Sequence, residues 1–193
     1  MKLTTEELFI QHAKADKPSL LSKSIICLHN IRSAYNVGAV FRNADAFGIQ
    51  QIFLSGFTPT PETNIEVSKT AIGAEEHVTW SYFAQWSDCT SKLQQKKAQI
   101  FAVEQTKKSK PLTEFNFNGV AIPNMAFVFG NEVKGLDDEV LVSADHHLII
   151  PQFGIKLSKT YFRIDKLLNT HFGVDKQRFL FLSRPCRAKH FRV

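Results

Sequence analysis

At 193 residues, 44% of them hydrophobic and 22% charged, the chain has the size of one well-cored α/β domain and the make-up of a globular one, which excludes a disordered or fibrous protein. No run approaches the roughly 20 apolar residues that cross a bilayer. Residues 1–14 lack the apolar stretch of a secretory signal, so a cytoplasmic protein with no membrane partner is expected. The net charge is +6, but residues 156–193 hold five Lys, five Arg and two Asp, a net of +8, which leaves −2 for residues 1–155. A body covered in positive charge for nucleic-acid binding is thereby excluded.

Residues 4–15 read as a helix, with Thr4 as N-cap and Glu7 three positions on. The apolar run at residues 25–28 predicts a buried strand. Val37, Val40, Phe41, Ala44 and Phe47 then recur at three and four, an amphipathic helix closed by Gly48. Further strands are predicted at 49–54, 78–83, 100–103, 125–129 and 147–150, with helices at 86–97 and 137–143; residues 107–118 read as a polar, solvated connection. Strands alternating with helices predict an α/β fold with a mainly parallel sheet flanked by helices.

Three segments carry the chemistry, each at the C-terminal end of a predicted strand, where open α/β sheets place ligands. In residues 30–48, Arg42 sits among apolar neighbours, where a charge is costly without an anion. In residues 127–140, a strand runs into Gly130-Asn131-Glu132 with Gly135 beyond, a bend suited to close ligand approach. Glu132 there would accept hydrogen bonds from a ligand, orient a basic partner, or cap the next segment. Residues 149–158 pass from strand through Pro151 and Gly154 to Ser158.

Other chemistries find little support. There is no G-x-G-x-x-G and no Walker-type loop. His146 and His147 would point to opposite faces of a strand, and Cys27, Cys89 and Cys186 form no CxxC pair, so no metal is expected and the thiols read as reduced.

In this order the segments resemble the motifs of the SpoU (TrmH-like) RNA 2′-O-methyltransferases of the SPOUT superfamily. Asn36-Val37-Gly38-Ala39-Val40-Phe41-Arg42 matches N-x-G-A-x-x-R, and residues 129–136 match F-G-N-E-x-x-G-L. Ile150-Pro151, Gly154 and Ser158 match the first half of I-P-x-x-G-x-x-x-S-L-N-V-S-V. Ala102-Val103-Glu104-Gln105 resembles a loop that touches the methyl donor. The resemblance implies a C-terminal trefoil knot, a homodimer, S-adenosylmethionine as cofactor and an RNA substrate. Asn36, Arg42, Glu132 and Ser158 would line the catalytic site. Val103, Glu104, Gly130, Asn131, Gly135, Ile150, Pro151 and Gly154 would hold the donor.

The resemblance ends at Ser158, which bounds a methyltransferase domain at residues 1–158. Lys159 and Thr160 stand where the family has a donor-contacting leucine and a site asparagine. Residues 159–193 are either a divergent basic RNA-binding tail or the product of a shift in reading frame; the abrupt break favours the shift. The knot would then be incomplete, and the rival function is a catalytically impaired SPOUT-like RNA-binding protein. With only one helix and a turn ahead of the first motif, tRNA fits better as substrate than a buried ribosomal site.

Overall fold

Seven parallel strands form the centre of the structure, a computed structural model that describes residues 23–49, 51–117 and 124–151. In chain order the elements are β1 (Ser24–His29), α1 (Ala34–Phe47), β2 (Gln51–Ser55), α2 (Ile65–Ala71), α3 (Ala74–His77) and β3 (Thr79–Phe83). They continue with α4 (Trp86–Gln95), β4 (Ala98–Val103), β5 (Lys110–Pro111), β6 (Asn124–Phe129), α5 (Asp138–Ser143) and β7 (His146–Ile149). The strand order is β3-β2-β1-β6-β4-β7-β5. The α/β class and the parallel sheet expected from the sequence are therefore present. The expected helix at 4–15, Gly154, Ser158, the basic tail and the knot lie outside the described residues.

β1 is buried along its whole length because it pairs on both edges, Ile26 lying opposite Ile52 of β2 and Phe127 of β6. Alternation then sorts its side chains onto two faces. Ile26 and Leu28 join Phe101, Phe127 and Phe129 beneath α1, while Ile25 and Cys27 join Ala126 and Val128 against Trp86, Cys89 and Leu93 of α4. The result is three layers, helix on sheet on helix.

α1 starts at Ala34, three residues before Val37, the first of the expected apolar positions. Ser33 is the cap, its hydroxyl accepting from the Asn36 N–H at 3.3 Å. Gly48 closes the helix in the left-handed conformation, φ 73°. Gly38 lies on the buried face, where a Cβ would run into the Val67 carbonyl oxygen and the Thr70 side chain. This glycine of the first motif lets α1 and α2 pack closely.

Two expectations need correction. The segment at 107–118 is not simply a solvated connection. It supplies the edge strand β5 and a 3-10 turn at Leu112–Glu114, and it buries Leu112 and Phe117. Its apolar residues are spaced singly among polar ones, so they mimic a loop, yet Phe115 and Phe117 pack edge-on and tilted against Phe101 of β4. The sequence also gave no sign of α2 and α3, which are only seven and four residues long and bury few side chains.

Candidate active site

Because the strands are parallel, all their C-terminal ends share one edge, and β1, β6, β4 and β7 are consecutive in the sheet. The ends of these strands, the loops that follow them and helix α1 carry the described motif residues. Distances of about a hundred residues in sequence are thus closed by strand order alone.

The best-defined contact joins the first two motifs. Glu132 Oε2 accepts from the Arg32 N–H at 2.9 Å, and Oε1 accepts from the Ser33 N–H at 3.0 Å and from Asn36 Nδ2 at 2.9 Å. Partial burial of this carboxyl favours its neutral form. The Arg32 N–H, its own N–H, the Asn36 amide and the Ser33 N–H outweigh that and hold its pKa below the ordinary glutamate value. Glu132 caps not the segment that follows it but the entry to α1, where the helix dipole also favours a negative charge. Its acceptor capacity is spent largely on its own chain.

The glycine-rich bend likewise approaches its own backbone. A Cβ on Gly130 would sit 2.7 Å from the Gly135 carbonyl group and the Leu136 nitrogen, and one on Gly135 (φ 81°) would strike the Glu104 carboxylate. Asn131 and Gly135 exchange backbone hydrogen bonds at 3.1 and 2.9 Å. Asn131 Oδ1 accepts from the N–H groups of Val133 and Lys134, and its Nδ2 donates to the Asn30 carbonyl. The bend closes tightly on its own backbone, with Asn131 as its internal brace.

Glu104, at the end of β4, ties the next loop in. Its Oε2 accepts from the Leu136 N–H at 2.9 Å and its Oε1 from the Gln105 N–H at 2.8 Å; its own N–H donates to the Leu148 carbonyl of β7. Val103 and Ile150 are buried at the bases of these loops, with Pro151 half-buried beside Ile150.

Arg42, about two turns into α1, is half-buried, and its Nε is inaccessible to solvent with no hydrogen-bond partner among the described residues. A guanidinium N–H in that state is a donor without an acceptor. The two histidines read as poor joint ligands point apart. His146 stacks on Phe101, whereas His147 bonds Thr106 Oγ1 and the Leu141 carbonyl. Among the described residues no group of three or more His, Cys, Asp or Glu side chains could hold a metal ion, and no helix is long and apolar enough to cross a membrane.

The sequence reading missed His29, Asn30, Ser55 and Asp137. His29 Nδ1 lies 2.8 Å from Ser55 Oγ, and its Nε2 lies 3.1 Å from Asp137 Oδ2. Burial lowers the pKa of His29, and the Asp137 carboxylate only partly offsets that. Asn30, with φ 55°, was the detectable signal, since an asparagine just after a strand often takes the left-handed turn.

A parallel α/β sheet with interlocked loops along its C-terminal edge, and a half-buried arginine on the helix after β1, has the form of a ligand-binding α/β domain. The SpoU rRNA Methylase family pattern matches residues 23–158. The chain belongs to this family. It is 25% identical over 139 residues to a tRNA (guanosine(18)-2′-O)-methyltransferase of Aquifex aeolicus, covering 69% of this chain and 61% of that protein. The chain thus spans about three fifths of the length of that relative. In fold it is similar to the AdoMet-bound rRNA methyltransferase of Sinorhizobium meliloti (TM-score 0.70, 22% identity, 83% of this chain and 59% of that one). It is also similar to the A. aeolicus TrmH/SpoU tRNA modifying enzyme (TM-score 0.65, 21% identity, 86% and 81%).

Proposed function

We propose that this chain methylates a ribose 2′-hydroxyl of tRNA with S-adenosylmethionine as donor, acting in the cytoplasm as a homodimer. Family membership supports the reaction class, and the name of the A. aeolicus relative supports tRNA. The observation that carries the reading is Arg42, a half-buried guanidinium whose Nε has no acceptor among the described residues. The terminal amino groups of that guanidinium present the planar fork that suits an RNA phosphate.

The donor-side residues fit such a cofactor. Gly130 and Gly135 leave no room for a Cβ, so the loop after β6 folds tightly on its own backbone and lies against the Glu104 carboxylate after β4. Gly130, Asn131, Gly135, Ile150 and Pro151, with Val103 and Glu104, would hold the donor there. Gly154 and Ser158, beyond the described residues, would complete the site. When bound, S-adenosylmethionine supplies an electrophilic methyl carbon, its sulfur keeping the bonding electron pair as the ribose oxygen takes the methyl.

The chain's own residues must then favour a nucleophile that is scarcely ionised at neutral pH. Arg42 cannot act as the base, because a guanidinium stays protonated. It clamps the adjacent phosphate and stabilises negative charge developing on the ribose oxygen, while the proton passes to a phosphate oxygen or water. Glu132 and Asn36 fix the start of the helix from which Arg42 projects.

Calorimetric titration with S-adenosylmethionine, run beside methyl transfer into bulk tRNA and rRNA, tests this. Donor binding with 2′-O-methylnucleosides appearing in tRNA is expected. Methyl groups on bases, or in rRNA alone, would overturn it. RNA binding without donor binding would favour the catalytically impaired alternative.

A further inference from the structure

Five residues after Glu132, a second carboxylate grips the same segment of the first motif. Asp137 Oδ2 accepts from Asn30 Nδ2 at 2.8 Å and lies 3.1 Å from His29 Nε2, which is itself 2.9 Å from Asn30 Nδ2. Every hydrogen-bonding group of Asn30 is engaged. Its N–H donates to the Ser55 carbonyl at 3.1 Å, its Oδ1 accepts from the Phe57 N–H at 3.2 Å, and its carbonyl accepts from Asn131 Nδ2 at 2.9 Å. The neighbouring backbone is shaped to admit it. Gly56 has φ 66°, and a Cβ there would collide with Asn30 Oδ1. His29 completes the arrangement from below, buried, edge-on to Trp86 and anchored on Ser55.

Asn30 therefore ties the end of β1 to the end of β2 and to both ends of the 131–137 loop. We infer that Asn30, with His29 and Asp137, is a positioning device that sets the first-motif segment against the second-motif loop, so that α1 delivers Arg42 in register. The segment at 30–36 is held at two points by one loop, by Asp137 at its start and by Glu132 at its helix cap. A single hold would leave it free to pivot; two holds fix the direction in which α1 departs. None of these three residues belongs to the matched motifs, and their role in turnover rests on the function proposed above.

Hydrogen exchange of the free protein, read in peptides covering residues 30–36, tests the clamp without any ligand. Asn30→Gly keeps the backbone at ease in its left-handed turn but removes the amide, and Asp137→Ala removes the carboxylate. Both should speed exchange at 30–36 by about tenfold or more while β6 stays protected. Asp137→Asn, whose amide oxygen can still accept, should restore protection. The Asp137 side chain is 54% exposed, so its variants should fold even if Asn30→Gly does not.

Single-turnover methyl transfer into tRNA should fall by about 10- to 100-fold in Asn30→Gly and Asp137→Ala. Donor affinity should change little, and Asp137→Asn should recover the rate. Unaltered exchange in both variants would overturn the clamp. Faster exchange with an unchanged transfer rate would overturn its role in positioning. A wild-type protein that methylates no RNA would instead refute the proposed reaction, while the exchange result would still decide the clamp.

Discussion

The side-chain amide of Asn36 donates to the Glu132 carboxylate at 2.9 Å, across 96 residues of sequence. Glu132 therefore links two motifs by serving as an acceptor for three N–H groups of the 32–36 segment. Glu132→Gln would place an amide N–H against those donors, and we expect it to lower the unfolding free energy at pH 7 by about 1 kcal/mol, after allowance for solvent screening. The folded pKa lies below the ordinary glutamate value, so this contribution is full above that value and is lost as pH falls through the folded pKa. Thermal melts of wild type and Glu132→Gln from about pH 7 to pH 3 should converge at the acid end. A gap that stays constant would show that the carboxylate charge plays no part.

Arg42→Lys keeps the charge but loses the planar fork and the buried Nε donor. The rate of methyl transfer is expected to fall by about 100-fold or more, with donor affinity and melting temperature nearly unchanged. Single-turnover kinetics beside calorimetry would separate these quantities. Near-full turnover in the lysine variant would remove the phosphate clamp from the mechanism.

Gly38→Ala should destabilise the protein although alanine is the better helix former. Its Cβ meets the Val67 carbonyl oxygen, a backbone atom that cannot move without shifting α2. A loss of about 1–3 kcal/mol is expected from urea denaturation. An unchanged or raised midpoint would mean that α1 and α2 separate easily.

At Gly135, alanine is opposed twice, by φ 81° and by the Glu104 carboxylate. Gly135→Ala should cost about 1–3 kcal/mol and weaken S-adenosylmethionine binding, because the loops after β4 and β6 move apart together. If calorimetry found wild-type affinity in this variant, the interlock between those loops would be irrelevant to the donor.

The strands and α1 were legible because burial writes a pattern into sequence: continuous apolar runs for two-sided strands, three-and-four spacing for a helix on one face. The motif residues were legible as types and spacings, and their convergence on one edge follows from a parallel sheet. What they bond was not legible. Glu132 takes backbone N–H groups of the 32–36 segment, and Asn131 takes those of its own loop. A side chain that satisfies a distant backbone leaves no mark on its partner, since every residue but proline has the same N–H. Asp137 was invisible for a related reason: its partners, His29 and Asn30, stand more than a hundred positions earlier.

The strand order also governs how the molecule is assembled. β6 lies between β1 and β4, yet it is sixth in the chain. Until residues 124–129 are available, the trio β3-β2-β1 shares no hydrogen-bonded edge with β4, and β5 lacks its partner β7. During synthesis the ribosome thus releases the trio β3-β2-β1 and then β4, each with an open edge, before the strand that joins them. The slow event in folding should be the insertion of β6 between two waiting edges, a long-range step with a high loop-closure cost. The same insertion brings Glu132 to Asn36, so the first two motifs meet as β6 enters, and β7 then joins β5 to the sheet.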